Sequence, residues 1–405
     1  MKKRYIQIIY RKYSNFSLYW EGISKLEGFF TMFKPQQPYD LQQLPPKIDL
    51  NKHPKLMNLL NLHNSALQAV SELNGALREI ENPDIFLNTF YLQESISSNA
   101  VENIYTTIES ALEDETKPDE ERKRENKEVL NYRTALAAGI KTAEKYGLTT
   151  RTIKGIHKEL NVAKGKPGEY RKGQNNIANR KKDGTIEIIY TPPLGQNVED
   201  LIANWEKFVA NDNAFFSLIK TAISHYQFEA IHPFEDGNGR TGRILMVLQL
   251  MQESLLTYPA FFISSYLSEH DDHYKKLLLQ VSADAEWWSY IEFMLTGFQM
   301  QALKTRIAIL NLKKARKDLR DYLFKHEKSP IQQRSIRLVV DHIFQYPTTH
   351  PRFMERQTGI HWQTCSKYLK GLKAEGILRE HPQGKYKFFR NQRALDAMVV
   401  KLPKS

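Results

Sequence analysis

Cysteine is almost absent, with Cys365 the one thiol in 405 residues. A single thiol excludes an intramolecular disulfide framework and any cysteine-rich zinc site, and it fits a reducing compartment. Long apolar runs are missing too. No stretch of about 18 apolar residues occurs, so no transmembrane helix is expected. The first thirteen residues are basic, but polar or charged neighbours interrupt Ile6, Ile8 and Ile9, so the apolar region of a secretory signal is lacking. A cytoplasmic location with no membrane partner is the expectation. No internal repeat is visible.

What is present is globular. Apolar residues make up 41%, charged residues 26% and aromatic residues 11%, in a chain long enough for two or three domains with a sizeable core. The net charge of +12 is unevenly spread: residues 301–405 sum to +15, which leaves −3 for the 300 residues before them. A nucleic-acid reading of the basic charge is thereby restricted to the C-terminal quarter.

The chain divides accordingly. Residues 1–31 read as an N-terminal extension, with Met32 as an alternative start and a helix around Leu18–Phe30 as the other reading. Residues 32–125 form a helical region. Apolar spacing predicts an amphipathic helix from Pro54 to Ile80 and a second helical stretch from Ile85 to Leu112, with Asn82 and Pro83 at its start. The charge-dense segment Glu113–Glu128 reads as a solvated loop. Residues 126–300 carry helices over about 126–144, 152–162 and 198–211. Between the last two lies a hairpin signal, in which Asp183–Gly184 supplies the turn and Thr185–Tyr190 a β-rich strand. An isolated hairpin buries little by itself, so it is expected to act as a flap over something else. Residues 301–328 read as a basic connector helix, and a compact unit fills 329–405.

The chemistry concentrates in one segment. An apolar-striped helix over 216–231 stops at His232 and Pro233, and the loop HPFEDGNGR opens a second, almost wholly apolar helix. Backbone amides near Gly237, Asn238 and Gly239 at that helix start suit an anion. Arg240 and Arg243 lie in the first turn, where positive charge is unfavourable to the helix unless an anion compensates it. Phosphate is the simplest anion. Asp236 would hold Mg2+ together with phosphate oxygens, because this metal takes one or two carboxylates plus substrate phosphates. His232 would be general base towards a hydroxyl. A lone His or a lone G-x-G would be a helix end and a turn; the joint occurrence of His, Asp, Asn, two Gly and two Arg in twelve residues is what carries the reading.

The stretch HPFEDGNGRTGR, His232–Arg243, resembles at every specified position the signature H-x-F-x-(D/E)-G-N-G-R-x-x-R of the Fic domain family. Similarity extends over about 32–300, through QFEAIHPF, PGEYR at Pro167–Arg171 and Tyr190–Pro193. The resemblance implies a mainly α fold, with a helical Fic domain and a β-hairpin flap. It also implies transfer of AMP from ATP to a Ser, Thr or Tyr hydroxyl of a target protein whose identity is unknown. His232 would be the base, Asp236 the Mg2+ ligand, and Gly237, Asn238, Gly239, Arg240 and Arg243 the ATP cradle, with Tyr274 near the adenine. Flap residues Gln174, Asn175, Asn176, Ile177 and Ala178 would align an extended target strand by main-chain pairing. Ala178 stands where the flap usually has glycine, and the turn is lengthened by Arg180–Gly184. Family members that phosphorylate carry Lys in place of Gly239, so glycine favours nucleotidyl transfer. Ser98–Asn103, SNAVEN, resembles the family's inhibitory pattern (S/T)-x-x-x-E-(G/N). There Glu102 would pair with Arg243 and take the place of the ATP γ-phosphate, with Ser98 bonding within its helix or to Glu102. An exposed Glu facing solvent is the plainer reading of the same six residues.

From Ile331 the chain reads as three helices and a wing, with a hairpin tip at Gln383–Gly384, and this resembles a winged helix-turn-helix domain. Such a domain would set Gln363, Thr364, Ser366 and Lys367 near DNA bases and Lys385 and Lys387 on phosphates. Docking or dimerisation is the alternative, and a homodimer is left open. Cys365 reads as a small packing residue. The leading function is a self-inhibited protein adenylyltransferase. The alternatives are a DNA-binding regulator whose Fic domain senses nucleotide, and a Fic enzyme that uses another nucleotide or removes AMP.

Overall fold

The computed structural model describes residues 33–48, 53–162, 164–181, 183–325, 329–400 and 402. The expected extension over 1–31 and the start at Met32 lie outside the described residues. Helix α1 spans Leu56–Arg78 and buries Leu59, Ala66, Val70, Leu73 and Leu77, the stripe that three- and four-residue spacing places on one face. It lies along α11, Trp287–Lys325, a single helix of 39 residues. Over residues 301–325, the described part of the basic connector expected over 301–328, the chain is therefore the second half of a longer helix. Ala302, Ala308, Ile309 and Leu312 bury one side of it, so its lysines and arginines occupy only the outer face.

The stretch expected as one helix over 85–112 is two. Helix α2, Asp84–Val101, ends with Glu102 as its C-cap residue, and Asn103 turns left-handed at φ 61°. Helix α3, Ile108–Glu115, restarts behind Thr107, whose side-chain oxygen accepts from the Ser110 amide at 3.1 Å. The segment Glu113–Glu128 is not a solvated loop either. Glu113, Asp114 and Glu115 are buried at the end of α3, a single 3-10 turn covers Asp119–Glu121, and α4 begins at Arg124 and runs to Tyr146. Asp114 explains the difference: its carboxylate accepts from the Lys123 amide and from Asn126 Nδ2, each at 2.7 Å, and pairs with Lys117 at 2.8 Å. Buried carboxylates with a full set of donors cost little.

Helix α5, Thr150–Leu160, packs on α4, and the hairpin follows as β1, Ile177–Arg180, and β2, Ile186–Tyr190. The strands are antiparallel with Ala178 opposite Ile188, and the register shifts between Ile177 and Ala178. Asp183 Oδ1 accepts from the amide and hydroxyl of Thr185, and Gly184 takes φ 85°, the conformation for which the turn pair was read. Helix α6, Val198–Asn211, braces α7, Ser217–Ile231, which pairs with α8, Asn238–Gln252. Both α7 and α8 are buried nearly all round, so the loop between them is carried by the most enclosed pair of helices. Helix α9, Ile263–Glu269, packs on α2 and α11, and α10, Asp271–Asp284, lies on α11 and lines the cleft beside that loop.

The C-terminal unit begins with α12, Pro330–Gln345, then β3, Thr348–Thr349, α13, Pro351–Thr358, α14, Trp362–Ala374, β4, Arg379–Gln383, β5, Tyr386–Arg390, and α15, Gln392–Met398. Its sheet has the order β3-β5-β4 and is antiparallel throughout. The three helices and the hairpin with Gly384 at its tip follow the sequence expectation. Strand β3 has two residues and no periodicity to read. Cys365 is buried, with Sγ 3.1 Å from the Ile360 carbonyl, a packing residue as expected. The main apolar core is continuous from α1 to α15, and a second cluster joins Leu92, Ala111, Leu112, Val129, Leu130 and Leu395.

Candidate active site

The loop between α7 and α8 is held by its own polar groups. Asn238 Oδ1 accepts from the Phe234 amide at 2.7 Å while its Nδ2 donates to the Phe234 carbonyl at 2.9 Å. Both ends of the Asn238 amide thus make a bond to the loop itself, which fixes the shape of its first turn. Asp236 Oδ1 accepts from the Gly237 amide at 2.7 Å, and Gly237 takes φ 78°, where a side chain would meet Val162. Asp236 stays partly exposed, and its contacts with Gly237 and Arg240 both fall on Oδ1.

His232 ends α7 in the left-handed region at φ 50°. Its Nδ1 lies 3.2 Å from the Glu229 carbonyl, which can only accept, so Nδ1 carries the proton and Nε2 is left as an acceptor. Burial pushes the imidazole down to about 4, outweighing the Glu229 carbonyl and the nearby carboxylates that favour the charged form. At neutral pH the ring is an uncharged base. It lines a cleft of about 280 Å3 together with Glu102, Gly239, Arg243, Tyr274 and the flap residues Ile177 and Ala178.

Arg243 is 1% exposed. Its Nε donates to Ser98 Oγ at 2.8 Å, and its Nη2 donates to the Ser98 carbonyl at 2.9 Å and to Glu102 Oε1 at 2.8 Å. The two sequence motifs, 141 residues apart, meet here. Ser98 bonds to Arg243 and not to its own helix or to Glu102, which corrects that expectation: α2 turns its hydroxyl onto the guanidinium. Burial opposes ionisation of Glu102, yet Arg243 beside it and Arg240 behind outweigh this and hold the carboxyl below its ordinary range. Gly239 makes the pairing sterically feasible, since a Cβ there would lie 2.2 Å from Glu102 Oε1. Arg240 is occupied differently, by Glu128 at 2.8 Å and Asp236 at 3.6 Å.

Three residues to which the motif reading gave no role shape the site. Arg171 is buried and donates to the carbonyls of His232 at 2.7 Å, Gly173 at 2.9 Å, Pro193 at 2.6 Å and Ile231 at 3.2 Å, tying both roots of the flap to the end of α7. His157 accepts from the Gly168 amide at Nδ1 and so donates from Nε2 to the Asp236 carbonyl at 3.0 Å, its ring stacked on Phe234. Glu229 lines the cleft, and burial raises its carboxyl to about 7 despite Arg243. The PGEYR run pointed to Arg171; nothing in the spacing of His157 or Glu229 marked them.

The flap residues are placed as anchors and as a wall. Asn175 donates to the Phe234 carbonyl at 2.9 Å, Gln174 to the Pro192 carbonyl at 2.8 Å, and Asn176 accepts from Thr191 at 2.9 Å. Tyr274 is buried with its hydroxyl 2.7 Å from His225 Nε2 and its ring edging the cleft. On the C-terminal unit Gln363, Thr364 and Lys367 are exposed on α14 and Ser366 is half-buried. Lys387 is exposed, but Lys385 is paired with Glu121 at 2.6 Å, so the hairpin does not present it to solvent alone.

A loop of this build between two enclosed helices, under a hairpin, defines a Fic-type site, and three family models agree: Fic/DOC family N-terminal over residues 60–141, Fic/DOC family over 147–250, and the C-terminal domain of protein adenylyltransferase SoFic-like over 319–394. The chain belongs to the Fic family. It is 26% identical over 223 residues to protein adenylyltransferase Fic of Drosophila melanogaster, and 27% identical over 247 residues to the protein of that name from Aedes aegypti. The matches take in 54% and 59% of this chain but only 42% and 45% of those relatives. A Fic family protein from Desulfovibrio desulfuricans superposes with a TM-score of 0.51 at 20% identity, covering 86% of this chain and 98% of that one, and shares the fold. Among the described residues no helix is long and apolar enough to cross a membrane.

Proposed function

We propose that the protein transfers AMP from ATP to a Ser, Thr or Tyr hydroxyl of a target protein and that Glu102 restrains it. The ion pair between Glu102 and Arg243 carries this reading, because it sets an anion against the guanidinium within the cleft that also holds His232. The target oxygen attacks the α-phosphorus, its proton passes to His232 Nε2, and the bond to pyrophosphate breaks. Backbone amides at the start of α8 and Arg240 and Arg243 orient the phosphates, and Tyr274 borders the base. Among the described residues no cluster of three or more His, Cys, Asp or Glu side chains could hold a metal. Asp236 suits a Mg2+ that takes one protein carboxylate and relies on substrate oxygens for the rest, and that ion would neutralise phosphate charge when bound. The edge of β1 would pair with an extended target segment.

Seating ATP requires Glu102 to leave Arg243. Glu102→Gly is expected to raise self-labelling by radioactive ATP by about tenfold or more, whereas Arg243→Ala removes the phosphate ligand and stays inactive. The double variant should match Arg243→Ala, since the two residues share one interaction. An unchanged signal in Glu102→Gly, with weak labelling by wild type, would remove the restraint from the proposal.

A second reading concerns residues 329–405, which we take as a winged helix-turn-helix that meets duplex DNA through Gln363, Thr364, Ser366 and Lys367. The exposed face of α14 beside the β4–β5 hairpin supports it. Binding of a duplex by the full chain that weakens steeply with salt is the expected result; no binding at low salt assigns the unit to protein docking.

A further inference from the structure

The segment that follows α3 is clasped by the C-terminal unit. Glu113 Oε1 lies 2.9 Å from Arg390 and 3.7 Å from His381. The Thr116 carbonyl accepts from Arg356 at 3.1 Å, Lys117 donates to Gln383 at 3.1 Å, and Glu121 accepts from Lys385 at 2.6 Å and from the Tyr386 hydroxyl at 3.1 Å. Glu113 is 6% exposed and Arg390 20%, so this pair is shielded from the solvent that weakens most surface pairs. The same unit also holds the first half of α2. Asn88 and Thr89 donate to the Gln345 carbonyl at 3.0 and 3.3 Å, and Leu395 closes the small apolar cluster on Leu92 and Leu112.

Glu102 therefore sits between two anchors supplied by one unit, at residues 88–92 on one side and 112–121 on the other. Between them the chain leaves helical geometry from Glu102 to Thr107, with the Ile104 amide on the Asn99 carbonyl as a local tie. Glu102 itself is 38% exposed and grips Arg243 through one charge-assisted bond. Where a side chain with so few contacts rests is set by what fixes the ends of its segment.

We propose that the β4–β5 face of the C-terminal unit is a docking surface for an acidic peptide segment, that residues 113–121 are its resident occupant, and that this docking locks Glu102 onto Arg243. The lock rests on the restraint assigned to Glu102 above. The clasp on residues 113–121 is made of charged and polar groups, while apolar packing of α12 and α15 on α2 and α11 keeps the unit seated, so the clasp can open locally without the unit leaving. Freeing Lys385, Tyr386 and Arg390 from the acidic segment loosens α3 and the stretch 102–107, and Glu102 withdraws from Arg243 more often.

The test uses the full chain, self-labelling with radioactive ATP, and amide hydrogen exchange. Lys385→Glu is expected to raise labelling by about fivefold and to speed exchange over residues 98–112. The charge swap Glu121→Lys with Lys385→Glu should return both to the wild-type level. In a Glu102→Gly background, Lys385→Glu should still speed exchange but add nothing to labelling. Arg390→Gln, a milder change, should act in the same direction if Lys385→Glu fails to fold. If Glu102→Gly activates while neither lock variant does, the lock is wrong and the restraint stands. If Glu102→Gly itself does nothing, the restraint is wrong. Unchanged exchange over 98–112 in both lock variants overturns the docking surface whatever the labelling shows.

Discussion

The loop 232–243 and the segment 113–123 are both short polar links between helices, and they are held in different ways. The loop is braced from within, Asn238 bonding Phe234, Asp236 bonding Gly237 and Thr241 Oγ donating to the Gly237 carbonyl at 2.9 Å, each bond between residues no more than four apart, and Arg171, Asn175 and His157 add ties from outside. The segment keeps Asp114 on Lys117, Lys123 and Asn126, but Glu113 and Glu121 depend on partners 277 and 264 residues away. A loop with internal bonds as well as outside ties keeps most of its shape when one partner is lost, which is what the proposed phosphate cradle needs. A segment held from afar can be released, which is what a control element needs.

The largest expected effect lies at the centre of the loop. His232→Ala should lower self-labelling of the Glu102→Gly protein by about 100- to 10,000-fold, the usual worth of a general base, with ATP binding retained in equilibrium measurements. Retention of labelling would place the base elsewhere.

Next comes the bracing itself. Asn238→Ala leaves the Phe234 amide and carbonyl buried without their partner, a cost of about 2–4 kcal/mol for the two, read as a lower denaturant midpoint. His157→Ala should cost less, about 1–3 kcal/mol, because the Asp236 carbonyl and the Gly168 amide that lose their partner are only partly buried and water can reach them. Its distinguishing effect is a higher Mg2+ requirement for labelling, because the Asp236 backbone loses its tether; a stability loss with no change in Mg2+ dependence makes His157 merely structural.

Acid separates the two segments. Burial resists ionisation of Asp114, but Lys117, Asn126 and the Lys123 amide hold its carboxyl below the ordinary range. Its contribution to stability is thus complete above the unfolded value of about 4 and fades as pH falls through the lower folded value. Asp114→Asn should be destabilising at pH 7, and the difference from wild type should shrink towards pH 3 in urea titrations. His232 also responds to acid, through activity and not stability: with its pKa lowered to about 4, labelling by Glu102→Gly should stay level from pH 8 to 6 and fall only as pH 4 is approached, if His232 is the base.

The smallest effect is predicted for Lys387→Ala. The side chain is exposed on β5, and stability should stay within about 0.5 kcal/mol of wild type.

Much of the fold was legible because it follows local periodicity. The helices on either side of the loop, the Asp183–Gly184 turn and the three helices of the C-terminal unit are written in residue spacings of two to four. The break at Glu102–Thr107 was not, because apolar residues continue across it at helical intervals and only the left-handed Asn103 and the Thr107 cap stop the helix. The burial of Glu113, Asp114 and Glu115 was illegible for a related reason. A run of charges looks solvated until the chain supplies Lys123, Asn126, Arg133 and Arg390 around it.

The sequence by itself determined which imidazole, which carboxylate and which guanidinium stand together in the loop, since all lie within twelve residues and a helix start fixes their order. It also determined that Gly239 carries no side chain. The family resemblance named Glu102 as the partner of Arg243, but no spacing did, because an ion pair spanning 141 residues depends on how α2 is laid across α8. For the same reason the tertiary structure alone decided that Lys385 meets Glu121 and that His157 tethers Asp236. Charge type and helix phase are local properties of a chain, whereas the partner of a buried charge is set by packing across the whole of it.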